Sequence, residues 1–185
     1  MEHTSLIGGR LLHSVTIRRL LGALALAPLL GCPSGQSDAA AEYQNVMKFD
    51  TARVRLVSGR DTFNLRVELA LTPVQQQMGL MERTALAEHA GMLFVYDSTQ
   101  AADAGFWMYR TRIPLDIAFF DSSGVFRAVR AMEPCATEVV QGCPTYAPGV
   151  PYRTALEMNA GYFAKHDIGI GDSLLLRDLP DSLRR

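Results

Sequence analysis

Between Thr62 and Leu71 every second residue is apolar. Phe63, Leu65, Val67, Leu69 and Leu71 share one parity, and Asn64, Arg66 and Glu68 share the other. A period of two puts each set on one face of an extended strand, so the segment predicts a half-buried β-strand and excludes a helix there. Val54 and Leu56 alternate with Arg53 and Arg55 just before it, and Ser58-Gly59-Arg60-Asp61 supplies a turn. Together these predict a first hairpin. Leu115 to Phe120 and Val125 to Met132, joined through Asp121-Ser122-Ser123-Gly124, predict a second. Met92 to Tyr96, Gly105 to Tyr109, Tyr152 to Met158 and Ser173 to Arg177 are further strand candidates.

Helix signals are few. Thr72-Pro73-Val74-Gln75 combines an N-cap Thr, Pro at the first helical position and Gln at the third, the pattern of a capping box. That helix should run to about Met78 and end at Gly79, and a second short one is expected over Ala160 to His166. The reading is therefore a mainly β, single compact domain of about seven or eight strands with two short helices. Such short strands limit their open edges by closing into a barrel or packing as a sandwich.

The amino-terminal 31 residues have a different character. Arg10, Arg18 and Arg19 flank an apolar run, Leu20 to Leu30, that is too short for the roughly 20 residues of a spanning helix. Leu29-Leu30-Gly31-Cys32 resembles the lipobox of bacterial lipoproteins, in which the cysteine sulfur takes a diacylglyceryl group. Residues 1–31 are thus read as a lipoprotein signal peptide and Cys32 as the lipid attachment site. Several acyl chains hold where one does not, since each buried methylene contributes about 0.8 kcal/mol. Arg18-Arg19 admits twin-arginine export as a lesser variant. Residues 32–47 form a flexible tether: Pro33 to Ala41 is small and polar, spanning on the order of 20 Å as a coil. The folded domain occupies 48–177, and 178–185 are a polar tail. Pro33, rather than Asp, after the modified residue favours the outer membrane over the inner. The expected location is the periplasmic face, with the membrane as partner through the acyl chains on Cys32.

Removing residues 1–31 takes away three Arg and one Glu, moving the formal charge from −1 to −3. No basic stripe is left to follow a phosphate backbone, which excludes nucleic acid as the expected partner. Only His89 and His166 remain of four histidines, so a histidine metal site or a Ser-His-Asp triad is poorly supplied. No metal and no cofactor is expected. Cys135 and Cys143 form an even pair in an exported chain, which points to a disulfide. A two-thiolate metal site would need ligands this loop does not offer; two free thiols are the other alternative.

From Met78 onward four motifs follow in order: Gly79-Leu80-Met81-Glu82-Arg83, Gly91-Met92-Leu93-Phe94, Phe106-Trp107-Met108, and Ile113-Pro114-Leu115-Asp116-Ile117-Ala118-Phe119. The sequence resembles the domain of unknown function 192 family, small and often exported proteins. The likeness continues through Met132-Glu133-Pro134-Cys135, Tyr146, Leu156-Glu157, Gly161 and Ile170-Gly171-Asp172, covering roughly Arg53 to Leu176. It implies a compact β-rich fold and export, and carries no reaction. Tyr109 departs from the polar residue more usual there.

The polar and amphipathic members of those motifs are the candidate site residues. Arg83 either holds a carboxylate or phosphate or pairs with Asp116 or Glu157 to tie loops to the barrel. Trp107 either lines a groove or packs in the barrel mouth. Asp116 alternates against Leu115 and Ile117 and is expected in a cross-strand pair with Arg127. The function expected is a lipid-anchored envelope protein acting as a binding or accessory module for an envelope protein or glycan, rather than an enzyme. One alternative is an envelope hydrolase with Asp116 and Glu157 as acid and base. Another is copper handling by Met78, Met81, Met92 and Met108 around Trp107, since thioethers suit Cu(I) but also fill cores.

Overall fold

The computed structural model describes residues 48–176 apart from Glu138, together with Leu179. The signal peptide 1–31, Cys32 and the tether 32–47 lie outside those residues, as does the tail 178–185 except for the buried Leu179.

β1 (Asp50–Ser58) and β2 (Asp61–Ala70) form the first hairpin, with Ser58 opposite Asp61. That register leaves a two-residue turn, and Gly59 takes it at φ 57°, where a Cβ would be strained. α1 (Pro73–Met78) follows. Its capping box is formed: Gln75 N–H donates to Thr72 Oγ1 at 3.3 Å, and Thr72 N–H donates to Gln75 Oε1 at 3.0 Å. β3 (Ala90–Gln100) then runs parallel to β2, with Arg66 opposite Ala90. A parallel pair needs a crossover, and α1 with the loop after it supplies one. β5 (Leu115–Phe120) and β6 (Phe126–Met132) form the second hairpin, β8 (Tyr152–Asn159) lies between β5 and β3, and β9 (Ser173–Leu175) pairs with β1.

The seven-stranded sheet has the order β6-β5-β8-β3-β2-β1-β9. Its two edge strands meet at one end, where Val125 bridges Ser173 and Phe126 N–H donates to the Asp172 carbonyl at 2.8 Å. The sheet therefore curls into a half-barrel, the barrel-like member of the expected pair of architectures.

Both faces of this sheet are covered. On one, Val54, Leu56, Leu65, Val67, Leu93, Phe120, Leu156 and Met158 pack against Tyr162 and Phe163 of α2 (Tyr162–Lys165). On the other, Met92, Phe94, Ile117, Phe119 and Ala155 pack against Leu80 and Met108. This double cover explains why β5 is buried along its whole length.

Two elements differ from expectation. The strand expected over Gly105 to Tyr109 shrinks to β4 (Phe106–Trp107), which leaves the main sheet and pairs with β7 (Thr145–Tyr146). The strand expected over Ser173 to Arg177 ends at Leu175. Cys135 and Cys143 are joined by a disulfide with a Cα–Cα distance of 5.4 Å, closing the loop that delivers β7 to β4.

Candidate functional site

The second core does not fill the space between α1 and β4. An inner cavity of about 20 Å³ lies there, walled by α1 and its loop (Gln76 to Met81), by Phe94 and Glu157 from the sheet, and by Phe106, Trp107, Tyr109 and Thr111. That volume holds about one water molecule. Gln76, Gln77, Phe106 and Trp107 also wall an outer cleft of about 290 Å³, completed by Tyr96, Gly105 and Thr145.

Each wall is fixed locally. Gln76 Nε2 donates to the Val95 carbonyl at 3.1 Å, fastening α1 to the middle of β3. Thr145 opposite Trp107 holds the indole on its two-residue strand, and the Cys135 N–H reaches the Met108 carbonyl at 3.4 Å. The loop after α1 is locked to the loop after β4 through Glu82, whose carboxylate pairs with Arg110 at 2.6 Å and Arg112 at 3.0 Å.

Glu157 is the unusual group. Its side chain is 4% exposed, its cross-strand neighbours are Met92 and Ile117, and Oε2 has no hydrogen-bond partner among the described residues. Burial without compensation pushes its carboxyl up to about 8.

Asp116 stands elsewhere. It lies opposite Met158, whereas Glu157 lies opposite Ile117, so the two carboxylates occupy opposite faces of the sheet. They cannot flank one bond, and the acid–base pair expected for a hydrolase is not formed. Asp116 also does not pair with Arg127, because the hairpin register puts Ala131 opposite it and Arg127 lies 3.5 Å from Asp121. Its Oδ2 accepts the Gly161 N–H at 2.9 Å; burial pushes its carboxyl up, partly offset by the Gly161 and Phe163 backbone groups.

Arg83 pairs with Glu68 at 2.7 Å, not with Asp116 or Glu157, so it does tie the loop to the sheet but through another acid. The structure therefore does not bring Arg83, Trp107 and Asp116 together. Met78 and Met81 line the inner cavity beside Trp107, while Met92 and Met108 are fully buried core. Among the described residues no cluster of three or more His, Cys, Asp or Glu could hold a metal ion. Gln76, Gln77, Tyr96 and Thr111 were not legible as site residues, though three successive glutamines on so short a helix were a signal. Tyr109, the departure from the family pattern, lines the inner cavity.

A curled half-barrel with an aromatic cleft between its helix and its small sheet defines a mainly β class of domain. The chain belongs to the domain of unknown function 192 family (DUF192, uncharacterized ACR), whose model matches residues 55–176. Two solved structures share the fold. A candidate transcription regulator of Sinorhizobium meliloti 1021 is 32% identical with a TM-score of 0.61, over 69% of this chain and 95% of that one. A protein of unknown function from Novosphingobium aromaticivorans DSM 12444 is 29% identical with a TM-score of 0.56, over 70% of this chain and 87% of that one. No curated protein matches.

Proposed function

We propose that this is a lipid-anchored binding module of the cell envelope, attached through Cys32, whose cleft takes a segment of an uncharged envelope glycan. One observation carries the reading: Tyr96, Phe106 and Trp107 share an open cleft of about 290 Å³ with the side-chain amides of Gln76 and Gln77. Aromatic rings cover the apolar faces of a sugar while amides and hydroxyls exchange hydrogen bonds with its rim. The cleft walls carry no Lys or Arg, which suits neither a phosphate backbone nor a polyanion. Trp107 is the only tryptophan in the chain, so its emission reports the cleft alone. Titrating the detergent-purified protein with N-acetylglucosamine tetramer should shift that emission, and Tyr96→Ala should weaken binding about tenfold. No shift with any envelope glycan fragment would remove the reading. The anchor has its own test: palmitate labelling should disappear in Cys32→Ala, and equal labelling would end it.

A second reading, Cu(I) handling, is favoured only by Met78 and Met81 beside Trp107. Cu(I) titration that leaves Trp107 emission unquenched would dismiss it.

A further inference from the structure

We infer that the inner cavity is a subsite for an uncharged hydrogen-bond acceptor of the ligand, an acetamido carbonyl, and that Glu157 donates to it as a neutral carboxylic acid. This rests on the cleft reading above and specifies what the cleft selects.

Three facts converge on Glu157. Its Oε2 is unpartnered among the described residues while the side chain is more than nine-tenths buried, and it lines a partly open space of about 20 Å³, enough for a single small group. A buried polar atom left without a partner is costly, so the site gains by receiving one. The chemistry of that partner follows from what faces it. α1 and its loop bring only amide, thioether and aliphatic groups; Ile117 of β5 and Met92 of β3 flank Glu157 across the sheet; β3 also brings Phe94, β4 brings Phe106 and Trp107, and the loop after β4 brings Tyr109 and Thr111. The Tyr96 phenol is itself pushed up, by burial first and then by Tyr152 and Glu157. The charged side chains of the flanking loops are closed on one another, Glu68 with Arg83 and Glu82 with Arg110 and Arg112. Among the described residues no cation lines the cavity, so the buried acid keeps its proton and acts as a donor. A neutral carbonyl satisfies that donor. An ammonium group would require it ionised, and a carboxylate ligand would bring a second uncompensated charge.

The test compares N-acetylglucosamine tetramer with the fully deacetylated tetramer, read by Trp107 emission at pH 6 and pH 9.5 on the full chain in detergent. Wild type should bind the acetylated tetramer at pH 6 and lose about tenfold or more at pH 9.5. Glu157→Gln keeps a donor in the same place and should bind within a few-fold at both pH values. Glu157→Leu should lose binding at both, with circular dichroism confirming its fold. Tighter binding of the deacetylated tetramer at pH 6 would make this a cation site and overturn the inference. Binding that is indifferent to both pH and Glu157→Gln would overturn it while leaving the cleft reading intact, whereas no binding in any arm overturns both. Independently of any ligand, a ¹³C titration of the Glu157 side-chain carboxyl showing it ionised at pH 6 would also overturn it.

Discussion

Glu82 and Arg110 are both held in the left-handed backbone region, at φ 60° and 55°, and they hold each other there. Glu82 N–H donates to the Arg110 carbonyl at 2.7 Å and the two side chains pair at 2.6 Å. Neither is glycine, so each conformation costs on the order of 1 kcal/mol or more and persists only because its surroundings impose it. The pair staples the loop after α1 to the loop after β4, which are two walls of the inner cavity. Glu82→Ala loses the ion pairs and keeps the strain; Glu82→Gly loses the ion pairs and relieves it. Urea unfolding should rank wild type above Glu82→Gly and that above Glu82→Ala, with the last about 1–2 kcal/mol below wild type. An alanine variant as stable as the glycine variant would show that the strain is not real.

Glu157 makes stability depend on pH. Its folded-state value, about 8, lies above the ordinary 4.5, so the folded protein binds the proton more tightly than the unfolded chain. Its contribution is complete below about 4.5 and is lost as pH rises to about 8. Asp116, also raised, has the same sign. Between pH 5 and 8 the urea midpoint of wild type should fall, at up to about 1.4 kcal/mol per pH unit, and Glu157→Gln should flatten much of that slope. Parallel profiles for the two proteins would contradict the assignment.

Gly91 is needed for close approach. A Cβ there would strike the Glu157 carbonyl oxygen and come within 2.5 Å of Met158 Sδ, where β3 pairs with β8. Gly91→Ala should therefore destabilise by about 2–4 kcal/mol, an overpacking cost with little room to relax. A thermal midpoint within two degrees or so of wild type would mean that β8 can move aside.

The Cys135–Cys143 bridge supports the cleft as well as the fold. Closing its loop is worth roughly 2.5 kcal/mol in the chain-entropy model, and the loop carries Thr145 to its place opposite Trp107. Cys135→Ser/Cys143→Ser should lower stability by about that amount and shift Trp107 emission to the red. Unchanged emission would show that β7 stays in place without the bridge.

Much of the architecture was readable locally. Alternation in Phe63 to Leu71 and the turn at Gly59 specify the first hairpin, and Thr72 with Gln75 specifies where α1 starts, because both signals act within a few residues. β4 lies within the strand expected over Gly105 to Tyr109, but its short span and its partner β7 escaped, because strands of two residues carry no period. The parallel pairing of β2 with β3 escaped because alternation says which face is apolar, not which neighbour a strand takes. Of the four polar candidates, Trp107 and Glu157 line one cavity, whereas Arg83 and Asp116 are not among its walls.

The sequence by itself determined the strands, the helix cap, the mainly β class and the family. Tertiary structure alone decided that Glu157 lines the inner cavity while Asp116 lies on the other face of the sheet. The reason is the two-residue period of a strand: a register one residue different would bring the two carboxylates onto one face. Register between β5 and β8 depends on strands nearly forty positions apart in the chain packing two cores at once, which no local pattern encodes.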